Sequence, residues 1–311
     1  MMQITTRSAV QPGANPERVG TQTDVLGECP LWDDRFQCLY WVDIRKPAIR
    51  RLNAESGQVD TWSMPDLVGS IALTEDDRVL VAMPSQIALF DPVSSRLEPF
   101  VQDLKLPEGH RFNDGRCDSL GRFWVGSMHN LTRAPVGSLY LLEGAGPMQA
   151  VLNQVAIPNS LAFSPDGNTL YFADSLQYQI YAYPYDLLTG KLGQSRVLAQ
   201  SMPPAFPDGS AVDSEGYLWN AEFNGGRLLR YAPDGHLDRA VPLPVDRPTC
   251  CAFGGPELDI LFITSTSQGM SQAEREAQPL AGSLMAFRPG VRGRLEPRFA
   301  LAGPRRNSLN P

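Results

Sequence analysis

The stretch NSLAFSPDGNTLYFADS, residues 159–175, reads as a short apolar strand, a turn built on Pro and Asp-Gly, and a second strand dense in aromatic and apolar residues. Asp and Gly tolerate positive φ and Pro presets the first turn position, so this is a hairpin with a physical cause. The same pattern recurs as ECPLWDDRFQCLYWVDI from Glu28, SIALTEDDRVLVAM from Ser70, NDGRCDSLGRFWVGSM from Asn113, DGSAVDSEGYLWNAEF from Asp208 and TCCAFGGPELDILFITS from Thr249. Starts roughly forty to fifty residues apart are the spacing of propeller blades, each a four-stranded sheet. The expected fold is therefore all-β, a six-bladed β-propeller of four-stranded antiparallel blades. With repeats starting near 28, 70, 113, 159, 208 and 249, residues 1–311 are read as one propeller domain.

Further strands follow each hairpin. Third strands are expected at AIRRLN, QIALFD, GSLYLL, QIYAYPYD, RLLRY and SLMAF, with weaker outer strands at VDTWSM, RLEPFV and QAVLNQ. Either the segment from Glu17 to Asp24 or the tail LEPRFAL (295–301) would supply the last outer strand of the sixth blade. The polar stretch Ser267–Pro279 is too charged for a strand and is expected as a loop or one helical turn over a channel mouth.

Composition narrows the function. The formal charge of −7 gives neither a nucleic-acid backbone nor an anionic membrane a reason to bind. The opening MMQITTRSAVQPGANPERVG has no apolar run of signal-peptide length, and no later stretch approaches about eighteen apolar residues. The five cysteines, Cys29, Cys38, Cys117, Cys250 and Cys251, lack C-x-x-C spacing and fall mostly in expected strands, as buried free thiols do. A reducing cytoplasm is the expected location, with the chain a monomer or a homodimer.

What opens the copies is chemically informative. Equivalent first positions carry Glu28, Asn113, Asn159 and Asp208, and equivalent positions in a radial fold converge on one axis. Singly, each has an ordinary reading: a solvated turn glutamate, a capping Asn after Pro158, the first residue of an Asp-Gly turn. Together they form an all-oxygen set in a channel where an unpaired carboxylate is costly. Such a set suits one divalent cation: Ca²⁺, Mg²⁺ or Mn²⁺ first, with Zn²⁺ or Fe²⁺ also compatible. Arg111, two residues before Asn113 and on the same side of an extended segment, offers a guanidinium fork beside the site. His129 is read as a further substrate contact at the same mouth, and Asp114 as forming a turn with Gly115. Ser70 and Thr249 open their blades on small side chains that would leave room for a ligand.

At these residues the chain resembles the senescence-marker-protein (regucalcin)/gluconolactonase family of six-bladed propeller lactonases, in its bacterial sugar-lactonase branch, from about Leu26 to Phe299. GECPLWDDRFQCLYWVDI, RFNDGRCDSLGRFWVGSM, IPNSLAFSPDGNTLYFADS and PDGSAVDSEGYLWNA stand in the family's order, and QPLAGSLMAF near the end resembles the sugar-lactonase branch. The resemblance implies a metal held by Glu28, Asn159 and Asp208, and substrate held by Arg111 and Asn113. It implies metal-dependent hydrolysis of a sugar lactone, pentono- or hexono-, to the aldonic acid by a metal-activated water, with Asp208 as general base. Two other readings stay open: a calcium-dependent phosphotriesterase of the diisopropylfluorophosphatase type, and a non-catalytic calcium-binding propeller. The chain departs from the family's pattern twice. Ser160 stands where a Gly usually follows the metal-binding Asn, a change expected to tighten the channel floor. SMHNLTR lacks the acidic residue that some members carry shortly after the third-blade GTM.

Overall fold

The structure, a computed structural model, describes residues 15–101, 104 and 106–304; residues 1–14, part of the stretch read above for a leader segment, lie outside the described set. Six antiparallel sheets follow one another along the chain. Blade one is Gly27–Asp33, Cys38–Asp43, Ala48–Asn53 and Val59–Ser63; blade two runs from Ser70–Leu73 to Arg96–Pro99. Blade three spans His110–Cys117 to Gln149–Val155, blade four Pro158–Phe163 to Arg196–Gln200, and blade five Phe206–Val212 to Leu237–Pro242. In blade four two outer pieces, Lys191–Leu192 and Arg196–Gln200, both pair with Gln179–Asp186.

The sixth blade closes the ring. Pro248–Gly254, Ile260–Ser265 and Met285–Phe287 come from the end of the chain, and Glu17–Arg18 from its beginning adds the outermost strand against Met285 and Ala286. Of the two candidates for that strand, the N-terminal segment is the one used. The tail crosses to other blades instead. Arg298 Nη2 meets Asp33 Oδ1 at 2.6 Å, Phe299 N donates to Leu73 O at 2.7 Å, and Ala300 N donates to Gly121 O at 2.9 Å. Phe299 is fully buried between blades two and three and forms an isolated parallel bridge with Thr74, so its apolar side chain and these backbone bonds together anchor the tail.

Both faces of the inner strands are apolar because each blade packs face to face on the next. Leu31, Tyr40 and Val42 of blade one meet Ile71, Val81 and Phe90 of blade two. On the other side, Trp32, Leu39 and Trp41 meet Ile260 and Phe262 of blade six. The turn aspartates are structural. Asp118 and Asp213 are fully buried; each holds backbone N–H groups of its own turn, a Trp indole (Trp124, Trp219) and an Arg (Arg122, Arg230). A buried carboxylate needs such partners.

All five cysteines are buried and unpaired, and burial pushes the Cys29, Cys38 and Cys251 thiols up to about 12 and Cys117 and Cys250 also well above the usual range. Thiolate is the reactive form. A thiol reagent such as DTNB is therefore expected to label none of them in the native protein and all five after unfolding in denaturant; rapid native labelling would contradict this packing.

Candidate active site

The inner strands do more than line the axis. In blades one, three, four and five the ladder to the second strand slips at one place: between Glu28 and Leu31, Phe112 and Gly115, Asn159 and Ala162, and Pro207 and Ser210. A bulge re-aims the side chains beside it, and Glu28, Asn113, Asn159 and Asp208 all sit at these slips. Cys29 (φ 49°) and Ser160 (φ 59°) occupy the left-handed region directly after Glu28 and Asn159. That backbone conformation is why a glycine suits the position. Ser160 accommodates it with a hydroxyl contact to Ser210 at 2.6 Å, which ties blade four to blade five. Ser160→Val, β-branched and fully buried at positive φ, is expected to cost about 2 kcal/mol in a denaturant titration, whereas Ser160→Gly stays within about 1 kcal/mol. A Val variant as stable as the parent would contradict the role of that backbone turn.

Two buried aspartates fasten the segments that lead into these positions. Asp43 accepts from Val25 N (2.8 Å) and Leu26 N (3.2 Å), just before Glu28. Asp174 accepts from Ala156 N (2.9 Å) and Ile157 N (3.0 Å), just before Asn159.

Glu28, Arg111, Asn113, Asn159 and Asp208 line one cavity of about 580 Å³ at the end of the central axis, a volume usual for small-molecule sites. Arg111 Nη1 donates to Asn113 Oδ1 at 2.6 Å. Asn113 Nδ2 donates to Asn159 Oδ1 at 2.8 Å, and Asn159 Nδ2 to Ser175 Oγ at 2.8 Å. Ser175 in turn donates to Pro207 O at 2.7 Å, next to Asp208. One chain of hydrogen bonds thus runs from blade three through blade four to blade five.

The acids are held in an uneasy state. Burial, then the neighbouring Asp114 carboxylate, push Glu28 up to about 8, with the Cys29 N–H and Arg111 pulling the other way. Burial followed by Glu28 and Asp114 raise Asp208 well above the carboxylate range. Like charges on a dry axis repel, and a cation between them removes that cost. Among the described residues no three His, Cys, Asp or Glu side chains gather as a ligand group; the axis offers two acids and the Asn159 amide oxygen, whose second lone pair is open. Oxygen-only donors with two negative charges fit a hard divalent cation.

Four of the readings made from the sequence change. His129 does not line the cavity: it alternates with Met128 and Asn130, which do, and its Nδ1 instead accepts from Leu131 N and Thr132 N at 3.2 Å. Asp114 makes no turn with Gly115; it lies inside the strand and accepts from Leu161 N at 2.8 Å, joining blades three and four. Ser70 and Thr249 leave no open volume. Ser70 donates to Gly115 O at 3.2 Å and Thr249 to Gly27 O at 2.5 Å, each tying neighbouring blades together. By contrast Asn130, Arg45 and Arg247 line the cavity without having been singled out, and Gln268 does so from the stretch expected over the channel mouth. They lie in loops outside the repeat, where no register marks them. The stretch after Ser267 forms a six-residue helix, Gln272–Ala277, behind Gln268 and Gly269 of the cavity rim, with a Ser271–Glu274 capping box.

Residues 26–267 match the family described as "SMP-30/Gluconolactonase/LRE-like region". The chain belongs to the SMP-30/gluconolactonase/LRE-like family. Within that family it is similar to a 6-deoxy-6-sulfogluconolactonase of Pseudomonas putida, 38% identical over 90% of this chain and 96% of that protein. An L-arabinolactonase of Azospirillum brasilense is 35% identical over 94% of this chain and 97% of that one, and chicken (Gallus gallus) regucalcin 36% identical over 89% and 95%. A crystal structure described as a calcium-binding regucalcin from Agrobacterium tumefaciens superposes with a TM-score of 0.86 at 30% identity, covering 94% of this chain and 99% of that one. No helix among the described residues is long and apolar enough to cross a membrane.

Proposed function

We propose that this member of the SMP-30/gluconolactonase/LRE-like family is a metal-dependent lactonase that opens a pentono- or hexonolactone to its aldonic acid. One observation carries the reading: the acids Glu28 and Asp208 line the same polar cavity as Asn159, which is hydrogen-bonded to the Arg111–Asn113 pair. Relatives named as lactonases across nearly the whole chain support the substrate class.

Glu28, Asn159 and Asp208 would hold one divalent cation: calcium, magnesium, manganese, zinc or iron. When bound, that cation polarises the lactone carbonyl and lowers the pKa of water beside it. Asp208 takes the proton of the attacking water, although a carboxylate that also holds a cation is a weaker base than a free one. The water oxygen bonds to the carbonyl carbon, the ring C–O bond breaks, and the ring oxygen leaves as a hydroxyl carrying the proton that Asp208 took from the water. Arg111, still protonated at neutral pH although burial and Arg45 bring it down to about 10, faces the negative charge that develops on the carbonyl oxygen. Asn113, its orientation fixed by Arg111 and Asn159, positions the sugar hydroxyls. Among the described residues the cavity lining contains no Ser, Cys, Lys or His, and the one hydroxyl there, Thr266, donates to Val25 O at 2.6 Å with no base beside it in the lining, which disfavours a covalent acyl-enzyme.

The test is hydrolysis of a panel of pentono- and hexonolactones, followed by acid release, with and without chelator and with divalent metals added back. Metal-dependent opening supports the proposal. Cleavage of phosphotriesters alone would favour the phosphotriesterase reading, and cation binding with neither activity a non-catalytic propeller.

The cation should also report itself in stability. Glu28, raised to about 8, keeps a proton near neutrality that a cation must displace, and burial pushes Asp208 in the same direction. The thermal shift on adding Ca²⁺ to chelator-treated protein is therefore expected to grow as pH rises through about 8 and to level off above it. A shift that shrinks with rising pH would contradict this linkage.

A further inference from the structure

The cavity mouth carries charge that opening a neutral lactone does not require. Four arginines, Arg45, Arg111, Arg133 and Arg247, line it in a chain whose net charge is −7. Among the described residues only Arg247 of the four has a carboxylate within 4 Å, Glu274 at 3.7 Å. Arg45 Nη1 and Arg111 Nε both donate to the same neutral acceptor, Asn130 Oδ1, at 2.8 and 3.1 Å. Two guanidinium groups drawn to one amide oxygen repel each other and have no acid to answer them. Glu28 and Asp208 face Arg111 from the floor, but their two negative charges are those a divalent cation would cancel, so they cannot also balance the wall.

The guanidinium groups form a gradient. Arg111 is buried at the floor, Arg45 is half-buried above it, and Arg133 is exposed at the rim. Hydroxyl groups alone would be served by amides such as Asn113 and Asn130. Guanidinium forks without acids suit an anionic oxygen, which they can bind in a bidentate, charge-paired geometry that a neutral hydroxyl does not offer. Arg111 is committed to the reacting end by its contact with Asn113, which leaves Arg45 and Arg133 for the end that points outward.

We propose that the substrate is a sugar lactone with a second, permanently anionic group at the end of its carbon chain remote from the ring carbonyl, held by Arg45 and Arg133. This rests on the lactonase reading above. Sulfonate, phosphate and carboxylate share the required chemistry.

The experiment compares kcat/KM for hexonolactones that differ only at C6, carrying hydroxyl, phosphate, sulfonate or carboxylate, at low and high salt. At least one anionic lactone is expected to be favoured at least tenfold over the hydroxyl form, chiefly through KM, with the advantage shrinking at high salt. Arg45→Met and Arg133→Met should each narrow that ratio, and the preferred arm identifies the anion. Equal or better turnover of the neutral lactone, or a ratio unchanged in Arg45→Met, would overturn the proposal and leave the lactonase reading standing. A second readout separates the reverse case: calorimetry of glucitol 6-phosphate against glucitol. Arg45-dependent binding of the phosphate without hydrolysis of any lactone would keep the anion subsite and discard the lactonase reading; no such binding in a protein that opens no lactone would discard both.

Discussion

Asp208→Ala is expected to abolish lactone opening, lowering kcat by about a thousandfold or more, because one side chain carries two tasks. In the proposed reaction it would supply one of the two negative charges for the cation and would accept the proton of the attacking water. The fold should survive. Asp208 sits where burial and Glu28 already push it toward its neutral form, so removing it relieves a like-charge repulsion rather than leaving a partner unpaired. The expected signature is a split: turnover and the cation-induced thermal shift disappear, while the melting temperature of the cation-free protein stays level or rises. Near-normal turnover in this variant would sink the assignment of Asp208. Loss of activity with a collapsed fold would instead point to a structural role, which Glu28→Gln would then check independently, since it removes the other charge.

Arg111→Met is the second large effect, an expected loss of about a hundredfold or more in kcat with a smaller change in KM. Arg111 is 5% exposed, and its guanidinium makes three bonds in place, to Asn113, Asn130 and Phe112 O. Without it Asn113 loses the contact that sets its orientation, and the developing charge loses its nearest cation. Arg111→Lys should recover little, because an ammonium cannot bridge Asn113 and Asn130 from one plane. Full activity in the Lys variant would show that only the charge matters, not the fork.

The six hairpins were legible because short, continuously apolar strands and Asp, Pro or Gly turns repeat roughly every forty to fifty residues, and that register located Glu28, Asn113, Asn159 and Asp208 on one axis. The same register also carried a signal that went unread. Asp43 and Asp174 stand at the same offset after Glu28 and Asn159, in YWVDI and YFADS, and fasten the strands that present those residues. His129 was misplaced by one residue, and in a strand one residue reverses the face. Ring closure was ambiguous because Glu17–Arg18 is only two residues long and pairs with a strand from the far end of the sequence. The mouth residues Arg45, Asn130, Arg247 and Gln268 come from loops of different blades, and nothing local in the sequence brings them together. The Ser at position 160 looked like a loss of a family glycine; the positive φ and the Ser210 contact show how the chain keeps the conformation without it.

The central claim is that Glu28, Asn159 and Asp208 hold a single divalent cation at the floor of the Arg111 cavity. Anomalous diffraction from crystals grown with Mn²⁺ tests it directly. One strong peak within bonding distance of all three side chains, absent in Asp208→Ala, is the expected result; a fully active, cation-replete protein with no peak there, or with its peak elsewhere, would contradict it.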